Sequence, residues 1–401
     1  MDKIQMIAGR DIVVIGIQPW DIKIGSNCKN IATEFSKSNR VLYVNPPLDR
    51  KTKLTHKSSP EVKKRLRIAA GIDDPLVQIH ENLWNFYPSS VIESINWLPH
   101  FSLYEFLNRR NNRLFIDDIK SGIERLGFTD LILFNDSLMF TGFYSRELLN
   151  PKVSLYYIRD DLTKQPYFAR HGKYLEPLLA RKYDAVVSNS IYLANYMKSH
   201  NPNSHMVGQG CDLEVFDPAA NYPLPLDLMG IKRPIVGYVG FLTTIRLDID
   251  LLEFLASANQ DISIVLVGPE DEFFKNSKLH SFENLHFLGG KKEVDLPGYI
   301  HHFDVAINPQ AVNDMTIGNY PRKIDEYLAM GKPVVATGTE TMAYFKEVVL
   351  LSTSKEEFSE NIRLALRDDN QGKVDKRIKI ANEHTWERNV EKIYEVIERL
   401  I

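Results

Sequence analysis

Short unbroken apolar runs alternate along the chain with longer amphipathic stretches. The runs predict strands at residues 11–17, 41–45, 83–87, 131–135, 153–158, 185–189 and 206–208. A second set follows at 235–239, 262–268, 285–288, 305–308, 333–337 and 348–351. Unbroken rather than alternating runs fit strands covered on both faces, as in parallel sheets. The helical stretches between them supply the crossovers, so the pattern predicts an α/β architecture. Residues 217–234 hold four prolines and divide the pattern in two. The expected organisation is a first domain over 1–217, a linker over 218–233 and a second domain over 234–383. From about residue 354 the chain reads as helix. In the last helix, 384–401, Thr385 suits an N-cap. Trp386, Val390, Ile393, Tyr394 and Ile397 form an apolar stripe at helical spacing.

Composition narrows the classes. The 401 residues are comfortable for two domains, and a 44% hydrophobic content supports sizeable cores. With 49 basic against 52 acidic residues the net charge is -3, which gives no global drive towards nucleic acid. Two cysteines, Cys28 and Cys211, make no disulfide framework and fit a reducing compartment. The first ten residues lack the apolar core of a signal peptide, and no run approaches the ~18 apolar residues of a membrane span. The expectation is a cytoplasmic protein. Residues 50–67 pack cations around one acid, and residues 97–115 mix Trp97, Phe101, Tyr104 and Phe106 with Arg109, Arg110 and Arg113. Such stretches suit peripheral contact with anionic lipid at the inner membrane face. A solvated charged face beside a core helix accounts for the same residues.

The most informative stretch is Asn319-Tyr-Pro-Arg-Lys-Ile-Asp-Glu-Tyr-Leu-Ala-Met-Gly-Lys-Pro-Val-Val-Ala-Thr337, preceded by Gly318. It reads as loop, helix, turn and buried strand. Pro321 suits the first helical position, and Gly331 suits a left-handed cap at the end. Arg322 and Lys323 place two cations in a first turn that a helix alone would fill with acids. An anion at the helix start fits this placement. Glu326, three residues after Lys323, is positioned to grip a diol. An i,i+3 ion pair on a surface helix is the alternative.

Other candidates fall at strand ends, where open parallel sheets bind ligands. In the second domain Gly240 follows the first strand, and Arg246, six residues on, offers a planar fork to a diphosphate. Gly268 ends the next strand. Gly289 and Gly290 end the one after, where they either make room for a flat base or serve a turn with positive φ. There is no G-x-G-x-x-G after residue 17 or 239, which weighs against hydride transfer. In the first domain a long loop over 16–27 carries Trp20, Gly25, Ser26 and Asn27, suited to a sugar acceptor. Asp160 and Asp161 end a buried strand as adjacent carboxylates, fit either for base catalysis or for capping a helix. His171 is a lone histidine of the structural kind.

Taken jointly, these pieces resemble the GT-B glycosyltransferases, in particular the family-4-like group that makes bacterial cell-surface polysaccharides of the teichuronic-acid type. The resemblance covers nearly the whole chain and is strongest from Gly237 to Trp386. It implies two doubly wound Rossmann-like domains facing across a cleft, with the C-terminal helix crossing back to the first domain. Glu326 then matches the glutamate that binds the donor ribose hydroxyls. Arg246 falls where a phosphate-binding lysine is usual, and Gly240 matches the glycine of that phosphate loop. Phe241 replaces a common arginine, and Gly318 stands where many members carry a second glutamate. The donor set is Gly240, Arg246, Gly268, Gly289, Gly290, Gly318, Asn319, Tyr320, Lys323 and Glu326. Asp160 and Asp161 are the catalytic candidates, and Trp20, Gly25, Ser26 and Asn27 the acceptor side. The resemblance further implies a retaining hexose transfer from a nucleotide diphosphate-sugar to a glycan or lipid-linked acceptor. No cofactor or metal is expected, because basic residues and backbone amides neutralise the diphosphate. Domain closure is expected to exclude water. The rival functions are a sugar-nucleotide epimerase and a non-catalytic nucleotide-sugar-binding protein.

Overall fold

The computed structural model describes residues 7–21 and 25–401. Parts of the N-terminal stretch and of the 16–27 loop lie outside the described residues. The chain forms two compact units, Met1–Gly208 with Trp386–Ile401, and Gln209–Thr385.

Unit 1 is built on an eight-stranded sheet. Its strands are β1 (Asp11–Gly16), β2 (Arg40–Val44), β3 (Leu76–His80), β4 (Leu83–Phe86), β5 (Ile132–Asp136), β6 (Val153–Ile158), β7 (Ala185–Ser188) and β8 (Ser204–Met206). The spatial order is β8-β7-β6-β5-β1-β2-β4-β3, parallel except for β3 against β4. Successive side chains of a strand point to opposite faces. Val13 and Ile15 pack with Phe115, Ile119 and Leu179, while Ile12 and Val14 pack with Ile31, Phe35 and Ile393. Both faces are therefore dry, which is why the sequence shows unbroken apolar runs.

The C-terminal helix Trp386–Glu398 completes the second of these faces. All five residues of its predicted stripe are buried there, each burial stabilising by roughly 1.5–3 kcal/mol. Tyr394 stacks on Phe35 at 5.5 Å and its hydroxyl accepts from Asn39 Nδ2 at 2.9 Å. Asn389 Nδ2 donates to the carbonyls of Val207 and Gly208.

Unit 2 holds six strands, β9 (Ile235–Val239), β10 (Ser263–Val267), β11 (Leu285–Gly289), β12 (Val305–Asn308), β13 (Val334–Thr337) and β14 (Val349–Ser352). They are all parallel, in the order β11-β10-β9-β12-β13-β14. The order reverses between β9 and β12, and ligands of such sheets bind beyond the carboxyl ends at that point.

Several elements differ from the sequence reading. Residues 209–217, expected in the first domain, cluster with unit 2. The Cys211 amide donates to the His384 carbonyl at 2.8 Å, and Phe216 is buried in the unit 2 core. The linker over 218–233 is tied to the same unit through buried Leu228. The edge strand β3 escaped the reading because it is largely exposed and carries no apolar run. The helical C-terminus is three helices, beginning at Lys355, Gln371 and Trp386. The helix expected between Pro321 and Gly331 has only seven residues, Lys323–Ala329, so Pro321 precedes it rather than opening it.

Candidate functional site

In unit 2 four sequence-selected residues converge beyond β9 and β10. Gly240 and Gly268 lie back to back: the Gly240 amide donates to the Val267 carbonyl at 2.9 Å. A Cβ on Gly268 would stand 1.8 Å from the Gly240 carbonyl oxygen. A Cβ on Gly240 would stand 2.9 Å from Lys323 Nζ and 2.8 Å from the Tyr238 hydroxyl. Lys323 Nζ donates to that hydroxyl and lies 4.1 Å from the centre of the Tyr238 ring. The ammonium is thus held beside bare backbone, a cradle that only a residue without a side chain leaves open.

The helix Lys323–Ala329 is aimed at this cradle by Tyr327, which is fully buried and whose hydroxyl accepts from the Val239 amide at 2.8 Å. Gly331 ends the helix at φ +67°, with the Lys332 amide returning to the Tyr327 carbonyl. Glu326 sits one turn into the helix. Burial pushes its carboxyl above the ordinary glutamate range, while Arg322 and Lys323 pull it back. No hydrogen bond of its carboxylate is present among the described residues. An acceptor group beside two cations is suited to hydroxyl donors next to an anion.

The other donor candidates have mixed positions. Gly318 is buried and Asn319 half-buried in a compact loop pinned by Thr316. Tyr320 turns into the core instead. It is 7% exposed, and its hydroxyl meets His384 Nδ1 at 3.3 Å, which in turn meets the buried Asp325 at 2.6 Å. Its side chain therefore buttresses the helix and is not presented to a ligand. The Arg246 backbone carbonyl accepts from the Ala311 amide, but its side chain is exposed and pairs with nothing among the described residues. Gly289, the last residue of β11, has φ +68°, and a Cβ there would meet nothing within 4 Å. A Cβ on Gly290 would meet Pro269 first, at 3.6 Å. Tyr238 and Tyr327 were not singled out in the sequence. Their apolar surroundings read as core, and only the fold aims their hydroxyls.

In unit 1 the sheet order reverses at β1. A pocket of about 820 Å³ opens beyond β1, β2 and β5, lined among others by Ile17, Pro47, Trp97, Phe140, Tyr167 and Arg170. None of Trp20, Gly25, Ser26 or Asn27 lines it. The Trp20 amide donates to Asn45 Oδ1 at 2.7 Å and its ring meets Tyr43 edge-on at 5.1 Å, so it packs rather than projects. Ser26 is buried as the N-cap of the helix Asn27–Ser36, and Asn27 donates to the Tyr157 hydroxyl at 3.3 Å. Gly25 is exposed. At the end of β6, Asp161 accepts from Thr163 Oγ1 at 2.6 Å, a local turn role. Asp160 is 48% exposed, with Arg159 at 3.9 Å. Arg159 also pairs with Asp136 at 3.1 Å, a wholly buried carboxylate. Asp136 and Arg159 were missed because they are far apart in sequence and meet only across neighbouring strands.

Two titratable groups of unit 1 serve the fold. His171 stacks on Tyr104 at 3.7 Å and meets the Leu98 carbonyl at 3.0 Å, the structural role expected of it. Glu176 is fully buried, accepts from the Tyr156 hydroxyl at 2.6 Å, and burial pushes its pKa up to about 8. A carboxyl whose folded value exceeds its unfolded one stabilises fully below the unfolded value, and that stability is lost as pH rises to the folded one. Thermal unfolding of Glu176→Gln is expected to lose this component. The fall in midpoint between pH 5 and pH 9 should shrink by several degrees relative to the parent chain. Equal slopes for the two proteins would refute the buried acid.

The topology and strand-end sites of the two units define the GT-B fold. HepE from Anabaena, solved in complex with UDP, superposes with a TM-score of 0.63 at 14% identity over 97% of this chain and 100% of that one. Sucrose-phosphate synthase from Thermosynechococcus elongatus gives 0.62 at 15% identity, over 98% and 99%. Residues 233–368 match the family Glycosyl transferases group 1, a stretch that lies within unit 2. TuaH of Bacillus subtilis (strain 168), named for teichuronic acid biosynthesis, is 25% identical over 173 residues. That match spans 41% of this chain and less than half, 43%, of TuaH.

Proposed function

We propose that the chain is a retaining hexosyltransferase that moves a sugar from a nucleotide diphosphate-sugar to a glycan or lipid-linked acceptor in surface polysaccharide synthesis. The observation that carries the reading is the cradle of Gly240 and Gly268 with Lys323 and Glu326 beside it. Lys323 and backbone amides neutralise the diphosphate, with no metal required, and Glu326 takes the ribose hydroxyls. UDP is the first base to try, since HepE was solved with it. The large pocket of unit 1 favours transfer over epimerisation, which needs no acceptor site. Asp160, 48% exposed just beyond β6, is the carboxylate assigned to receive an acceptor proton in this reading.

Lys323→Ala is expected to weaken UDP binding by about 10- to 100-fold, the loss of one charge-assisted contact of roughly 1.5–3 kcal/mol. Calorimetry in EDTA checks both parts of the claim. Unchanged affinity in the variant, or binding abolished by EDTA in the parent, contradicts it.

Among the described residues no helix is long and apolar enough to cross a membrane. Peripheral contact at the inner face remains part of the reading, carried by exposed Trp97 and Phe106. The 50–67 stretch contributes less than its composition suggests. Arg50 pairs with Glu93 and Arg67 with Asp73, while Lys64 bonds the Tyr87 hydroxyl and Arg65 the Pro46 carbonyl. Salt-sensitive binding to anionic vesicles is the expected result, and no binding at low salt would end this part of the reading.

A further inference from the structure

Unit 1 has a second cavity of about 450 Å³, lined by the helices Phe101–Leu126 and Pro166–Lys182 and by the segment around Tyr144. It adjoins the larger pocket, for Asn108 lines both. Its wall is aromatic and aliphatic, with Phe101, Tyr104, Tyr144, Tyr174, Leu175 and Leu178. Phe101 and Tyr174 are 37% and 56% exposed, so apolar surface runs from the cavity out to solvent. The Tyr104 hydroxyl is buried without a hydrogen-bond partner.

Three cations and one acid, Arg109, Arg181, Lys182 and Glu105, share this lining. Arg109 pairs with Glu105 at 3.3 Å and lies 5.1 Å from the Tyr144 ring centre. Lys182 pairs with Glu147 at 2.7 Å and lies 3.7 Å from the Phe143 ring centre. Arg181 is exposed, and its guanidinium has no hydrogen bond or ion pair among the described residues. An apolar cavity with an excess of cations and an uncommitted guanidinium complements an apolar chain that ends in an anion. Arginine matches phosphate with a planar pair of donors. The volume falls in the range of small-molecule sites, roughly 300–1,000 Å³.

We propose that this cavity binds one lipid phosphate, its chain against the aromatic wall and its phosphate at Arg181 and Arg109. The shared wall at Asn108 leads the rest of such a molecule into the larger pocket, at the carboxyl ends of β1 and β5. The cavity is thereby the lipid end of the acceptor site. That role rests on the transfer reading given above, whereas the binding itself does not.

The test uses the full chain and decyl phosphate below its micelle concentration, with decanol, inorganic phosphate and anionic phospholipid vesicles as comparators, and UDP binding measured alongside. Decyl phosphate should saturate a single site, with decanol and inorganic phosphate at least 10-fold weaker. Arg181→Glu and the cavity-filling Leu178→Trp should each weaken it at least 10-fold. Arg181→Glu removes an exposed, unpaired group, so it keeps the test open if Leu178→Trp fails to fold. Three outcomes overturn the proposal: no saturable binding of decyl phosphate, equal binding by Arg181→Glu, or binding to vesicles with none to the monomer. UDP binding without decyl phosphate binding rejects the lipid site alone. Decyl phosphate binding without UDP binding rejects the donor reading and leaves the lipid site standing.

Discussion

Glu326→Ala is expected to lower UDP-sugar turnover by about 100-fold or more, and UDP affinity with it. Two hydroxyls held by one carboxylate are worth roughly 1.5–3 kcal/mol each, and about 1.4 kcal/mol is tenfold. The stability of the variant should not fall. The carboxylate accepts no hydrogen bond among the described residues, and burial disfavours its charge. Truncation therefore breaks no hydrogen bond and removes a group that is costly to bury. Loss of activity without loss of thermal stability separates a ligand-binding acid from a helix-stabilising ion pair. The ion-pair reading predicts the reverse, a small stability change with turnover intact. UDP affinity by calorimetry equal to that of the parent would sink the assignment.

Gly268→Ala is the second large effect. The added methyl would lie 1.8 Å from the Gly240 carbonyl oxygen, and both atoms belong to short backbone segments that close β9 and β10. The overlap is relieved only by separating those strand ends, which moves Gly240 away from Lys323 Nζ. Overpacking costs roughly 1–3 kcal/mol where side chains can yield, and backbone yields less. The expected result is a fall in melting temperature of several degrees together with at least a 10-fold loss of UDP affinity. Gly290→Ala is the matched control. Its nearest neighbour, Pro269, stands 3.6 Å away, so the change should stay within about 0.5 kcal/mol. Equal behaviour of the two variants would show that the close approach of Gly240 and Gly268 is not what shapes the cradle.

Much of the core was legible because both sheets are covered on both faces. β6, β9 and β12 fall on the predicted residues, and most others within one or two. The edge strand β3 was not legible, since exposure on an edge removes the apolar run that marks a strand. As donor candidates, Gly240, Lys323 and Glu326 stand out in local sequence because glycine, cation and acid each have a distinct chemistry at a strand end or helix start. Tyr320 was misjudged by the same logic. A tyrosine beside a glycine and an asparagine looks available, yet its partners Asp325 and His384 lie five and 64 residues on. The residues expected on the acceptor side, Trp20, Gly25, Ser26 and Asn27, do not line the open pocket of unit 1. Trp20 is engaged by Tyr43 and Asn45, whereas the open pocket takes Trp97, Phe140 and Tyr167 from segments distant in sequence.

The sequence by itself determined the two α/β units, their parallel strands and the helix that carries Lys323 and Glu326. These follow from periodicity and local backbone chemistry, which act over a few residues. Only the tertiary structure decided that Gly268 backs Gly240, that Tyr327 aims the helix, and that the aromatic pockets of unit 1 open where they do. Those facts depend on which strand lies beside which, and strand order is set by burial of whole faces, which no local window contains.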